Sequence, residues 1–70
     1  MPYFIVNMNA QSNGDHEVHN TTTGCSYMPN AANQLNLGYH TDCHGAVREA
    51  KQTYPQSNGC YWCCRACNTG

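Results

Sequence analysis

Two C-x-x-C units stand back to back near the C-terminus, Cys60-Tyr61-Trp62-Cys63 and Cys64-Arg65-Ala66-Cys67. At this spacing a turning backbone aims two sulfurs at one metal ion about 2.3 Å away. One unit supplies half of a tetrahedral site, and the other half must come from elsewhere in the chain. The nearest plausible pair is His19 and Cys25. The expected centre is one structural Zn2+ on His19, Cys25, Cys64 and Cys67, with Cys60 and Cys63 as the alternate pair. Cys63 and Cys64 are adjacent and do not easily serve one ion together, so the second unit leaves spare cysteine. Cys43 is the expected spare, a small apolar packer on a helix face.

Zinc is not the sole reading of these cysteines. Six Cys also permit a disulfide framework, for which sequence alone selects none of the 15 pairings, or a set of free thiols. The redox compartment decides between them.

Other candidate chemistry is weaker. His16-Glu17-Val18-His19 has its histidines at i and i+3, whereas the zinc-protease helix needs i and i+4. On a strand His16 and His19 face opposite sides, with His19 on the side of Glu17. His40 and His44 flank a helix start and read as surface or capping residues. A redox C-x-x-C should open a helix after a core strand, which a motif so close to the end of a 70-residue chain does not do. Asp15, Glu17, Asp42 and Glu49 are the only carboxylate side chains and form no acid–base pair with a nucleophile. The chain is therefore expected not to be an enzyme.

These residues need elements to place them. Tyr3 to Met8 alternates as a strand does, and Ser12-Asn13-Gly14-Asp15 carries the Asn-Gly pair of a hairpin turn, making His16 to Asn20 the partner strand. Thr21 to Asn33 is polar and loop-like, and Leu35 to Tyr39 is a candidate third strand. Cys43, Val47, Ala50 and Tyr54 recur at helical spacing, after Thr41 or Asp42 as cap and before Pro55 as terminator. Asn58-Gly59 reads as a turn. The fold class is α+β: an N-terminal β-hairpin, a candidate third strand, one helix at about 42–54 across the sheet, and a Cys-rich knuckle closing on the hairpin.

At 70 residues the chain holds one domain. Its aliphatic core of Ile5, Val6, Val18, Leu35, Leu37 and Val47 is sparse enough to need a staple. Arg48, Lys51 and Arg65 are the only basic side chains besides histidine and the net charge is −1, which argues against nucleic acid. No apolar run approaches a membrane span. Met1 to Ala10 lacks the features of a secretory signal, so the expected location is cytoplasmic. The expected partner is a protein, met through the surface around Tyr27, Tyr39, Tyr61 and Trp62.

The layout Tyr3-Phe4-Ile5-Val6, Gly14-Asp15-His16-Glu17-Val18-His19, Cys25, Leu37-Gly38-Tyr39, Cys43 to Lys51 and Asn58 to Cys64 resembles a group of short bacterial Cys/His proteins of unknown function. That resemblance implies a bacterial or phage-type cytoplasmic context and no particular activity. More loosely, His19, Cys25, the Ala-bearing helix and Cys64-Arg65-Ala66-Cys67 are similar to a small His/Cys module appended to some bacterial nuclease-like proteins, whose nuclease parts have no counterpart in this sequence.

Overall fold

The structure is a computed structural model and describes residues 2–69. Strand β1 (Tyr3–Asn7) and strand β2 (His16–Asn20) pair antiparallel with Ile5 opposite His19 and Val6 opposite Val18. Gly14, at φ +94°, turns the connection between them. Strand β3 (Gln34–Tyr39) pairs antiparallel with the other edge of β1. Helix α1 (Cys43–Thr53) follows, then a short strand β4 (Ser57–Gly59) that runs parallel to β2. The sheet is mixed, with order β3-β1-β2-β4, and the fold is α+β.

Local chemistry accounts for the helix. Asp42 accepts from the N–H groups of His44 and Gly45, satisfying two of the donors that a helix start leaves unpaired. Pro55 cannot continue the ladder, and the helix stops at Thr53. Its buried side chains, Cys43, Ala46 and Ala50, are small, which lets α1 lie close on Phe4, Val6, Val18 and Leu37. Ile5 and His19 are buried on the opposite face of the β1–β2 pair. Both faces of the hairpin are thus covered, and this second face receives the cysteine-bearing loops.

Residues Asn58 and Gly59 are a correction to the sequence reading, which made them a turn. Both are buried in β4, pairing with Glu17 and Val18. The Asn58 carboxamide oxygen accepts from the Thr69 N–H (3.1 Å), and its nitrogen donates to Asp15 (3.4 Å). Gly59 is required because a Cβ there would lie 2.6 Å from the Cys64 carbonyl oxygen and 2.7 Å from the Cys67 Cβ. The Asn-Gly pair serves close backbone approach here. After it, the chain turns through Tyr61–Cys63 and forms a short 3-10 helix, Arg65–Cys67.

Candidate metal centre

His19, Cys25, Cys60 and Cys63 converge so that one donor atom from each lies within 4.8 Å of every other. Strand β2 supplies His19, which is 0% exposed. Gly24, at φ +70°, turns the chain after β2, and Cys25 follows it. Cys60 leaves β4 with its N–H donated to the Val18 carbonyl (2.9 Å), which anchors the knuckle to the strand that carries the histidine.

The individual separations are informative. Cys25 Sγ is 3.5 Å from His19 Nδ1, Cys63 Sγ is 3.5 Å from the same nitrogen, and Cys25 Sγ is 3.9 Å from Cys60 Sγ. A tetrahedron around zinc, with Zn–S about 2.3 Å and Zn–N about 2.0–2.1 Å, has S–S edges of about 3.8 Å and S–N edges of about 3.6 Å. Three of the cluster's donor separations therefore match the edges of a coordination shell, and all of its donors lie within 4.8 Å of one another.

Its surroundings suit thiolates. The Trp62 N–H donates to Cys60 Sγ (3.4 Å) and the Asn20 N–H to Cys63 Sγ (3.3 Å). The second nitrogen of His19 lies 3.7 Å from Glu17 Oε1 and, among the described residues, makes no hydrogen bond. With Nδ1 aimed at the sulfurs, Glu17 is a carboxylate beside the outer nitrogen, at a separation longer than a hydrogen bond. Burial pushes the Cys60 thiol up to about 12. The Cys63 thiol is pushed up to about 11 by its hydrogen bond with Cys64 and by burial, and burial also raises that of Cys25. Without a cation the three sulfurs hold their protons, so a bound ion would supply the positive charge that three buried thiolates require.

The expected ligand pair Cys64 and Cys67 is not the one brought to His19 and Cys25. Cys67 forms a disulfide with Cys43, with a Cα–Cα distance of 6.2 Å, within the range such bonds span. Cys64 is a free thiol buried in the hydrophobic core and lies outside the four-donor cluster, with its sulfur hydrogen-bonded to that of Cys63. Close packing of Gly59 against the Cys64 carbonyl and Cys67 holds the second unit toward α1. Cys43, expected to be an unpartnered packer, is half of that disulfide. His44 lies near these two sulfurs, but they are bonded to each other, so that group is not a ligand set. Neither C-x-x-C unit is closed on itself as a disulfide.

Comparison with protein-family models, curated proteins and solved structures finds no significant match to this chain. The site must be read from its own residues. Glu17 is the one contributor that the sequence reading did not assign, although its signal was present: two residues before His19 on a strand, it shares that side of the sheet. His16, on the other side, stacks on Tyr54 at 3.9 Å, and the Nε2 of His40 approaches the Leu37 carbonyl (3.0 Å) and Glu49 (3.3 Å). Neither belongs to the cluster. Among the described residues, no helix is long and apolar enough to cross a membrane.

Proposed function

We propose that the chain is a small non-enzymatic binding module, locked by one zinc ion on His19, Cys25, Cys60 and Cys63, that acts through protein–protein contact. The observation that carries this reading is the match between the three measured donor separations and the edges of a zinc tetrahedron. Three thiolates and one imidazole suit zinc. Four protein donors also close the coordination shell, leaving no open position for a substrate, which favours a structural over a catalytic ion. A reducing compartment such as the cytoplasm suits the reading, because it keeps the ligand cysteines as thiols.

The contact surface in this reading is built on the ligand-bearing segments. Tyr27 and Trp62, exposed by 61% and 62%, stack at 5.6 Å; Tyr61 meets Trp62 edge-on at 4.9 Å, and the Arg65 guanidinium lies 5.0 Å from the Tyr61 ring centre. Tyr27 follows Cys25 by two positions, and Tyr61 and Trp62 lie between Cys60 and Cys63, so the ion would hold the platform rigid. Trp, Tyr and Arg are the side chains that dominate contact energies at interfaces.

Native mass spectrometry of protein purified without chelator tests the metal, and a photo-crosslinking residue at position 62, compared with one at exposed position 52, tests the surface. The expected result is a mass higher by one zinc, together with a discrete protein adduct from position 62 that Tyr27→Ala weakens. A metal-free folded protein, or equal adducts from both positions, overturns the reading.

A further inference from the structure

Cys67, one half of the Cys43–Cys67 disulfide, lines a surface groove that the zinc reading does not use. The groove has a volume of about 400 Å³, and its walls include His44, Arg48 and Lys51 from one face of α1 and Ala66 and Cys67 from the tail. That volume falls within the range of small-molecule sites. Of the three Lys and Arg side chains in the chain, two stand on this groove. The nearby acidic side chain, Asp42, is turned to its capping role and lies 3.5 Å from the His44 ring. A disulfide-bonded cysteine therefore shares a groove with a local excess of positive charge on a molecule of net charge −1.

We propose that this groove is a thiol–disulfide exchange site for small anionic thiols, molecules of tripeptide size or less that carry carboxylates beside their sulfhydryl. Arg48 and Lys51 draw in the carboxylates, which raises the encounter rate as a charge-lined cleft does. Cys67 lines the groove and Cys43 does not, so the incoming thiolate attacks the Cys67 sulfur. A bond forms between the thiol sulfur and Cys67 Sγ, the Cys43–Cys67 bond breaks, and Cys43 leaves with the bonding pair as a thiolate at the first residue of α1. A second thiolate then attacks the mixed disulfide on its small-molecule sulfur, forming the oxidised small disulfide and releasing Cys67 as a thiolate. The two protein thiolates take up the two protons given by the two thiols. In sum, two small thiols are oxidised to one disulfide and one protein disulfide is reduced, and the reverse sequence closes the bond from the oxidised small molecule.

None of the four donors of the metal cluster takes part, so this proposal stands or falls independently of the zinc reading. The test measures the rate at which Cys43–Cys67 opens, followed by rapid alkylation and peptide mass spectrometry, with reduced glutathione as the anionic thiol and 2-mercaptoethanol as the neutral one. Rates are normalised for thiolate fraction and for the intrinsic reactivity of each thiol toward a small uncharged disulfide. The expected result is a preference of about tenfold for the anionic thiol that disappears in the exposed-charge variant Arg48→Gln/Lys51→Gln and at high salt. In Cys43→Ser, oxidised glutathione should place one adduct on Cys67. An equal preference in the wild-type and double-variant proteins overturns the proposal. So does an adduct on Cys64 in place of Cys67, or purified protein in which Cys43 and Cys67 are free thiols that oxidised glutathione does not join. The rate comparison uses a variant with changes only at exposed positions, so a folding failure of Cys43→Ser leaves the outcome decidable.

Discussion

The Nδ1 of His19 lies 3.5 Å from the sulfur of Cys63 across a sequence separation of 44 residues. That single relationship selects between the two C-x-x-C units. It assigns Cys63 to the centre, while its neighbour Cys64 lies in the core. Cys63→Ser should therefore abolish stoichiometric zinc, whereas Cys64→Ala should keep one zinc per chain and lose stability through a small cavity. Zinc content by mass spectrometry on both variants decides; retention in Cys63→Ser with loss in Cys64→Ala would exchange the assignments.

Glu17 sits 3.7 Å from the His19 nitrogen that faces away from the sulfurs. A carboxylate that closes to hydrogen-bond distance of a ligating histidine raises its basicity and fixes the ring, and removing one costs about tenfold or more in metal affinity. Glu17→Gln should lower zinc affinity by that factor, measured by competition with a chromophoric chelator, with the metal-loaded fold unchanged by circular dichroism. Unchanged affinity would confine Glu17 to the surface charge.

Packing at Gly59 leaves no room for a methyl group, since the nearest atoms are backbone and a disulfide-bonded Cβ. Overpacking of this kind costs about 1–3 kcal/mol. Gly59→Ala should lower the thermal midpoint of the metal-loaded protein, whereas Gly24→Ala, where no atom lies within 4 Å, should act only through its positive φ. A Gly59→Ala protein as stable as the parent would contradict the close approach of the tail to β4.

Alkaline pH separates the metal-free from the metal-loaded protein. The folded thiols of Cys60 and Cys63 are raised to about 12 and about 11, from an ordinary value of 9.0. The folded state thus holds their protons more tightly than the unfolded chain does. Their stabilising contribution is complete below pH 9 and is lost as pH climbs through the folded values. A bound zinc ion would reverse the dependence, because it would hold the thiolates and be released as they take up protons in acid. Denaturant midpoints of the metal-free protein should fall only as pH rises above 9, whereas those of the zinc-loaded protein should fall as pH drops below 9, where protons compete with the ion for the thiolates; parallel profiles would show that the thiols are not the metal's ligands.

Local chemistry made most of the framework legible in the sequence. Alternation marked β1, the Asn13-Gly14 turn implied β2 as its partner, the period of Cys43, Val47 and Ala50 marked α1, and Asp42 and Pro55 marked its ends, because each signal depends on neighbours a few residues away. His19 and Cys25 were legible as members of one candidate metal cluster for the same reason. The strand β4 was not: three residues reading Ser-Asn-Gly carry no strand signal, and they are extended because β2 offers a free edge.

Residue type and spacing thus determined that this chain would be α+β, sparse in aliphatic core and rich in cysteine near its C-terminus. Tertiary structure alone decided how the cysteines divide. The sequence posed metal and disulfide as competing staples, and the fold brings four Cys/His donors together on one face of the hairpin and joins Cys43 to Cys67 at the helix. The physical reason lies at Gly59. Its missing side chain lets the tail fold flat against β4, and that approach turns Cys60 and Cys63 toward His19 while it carries Cys67 to α1. A contact between distant segments sets that choice, and no local pattern records it.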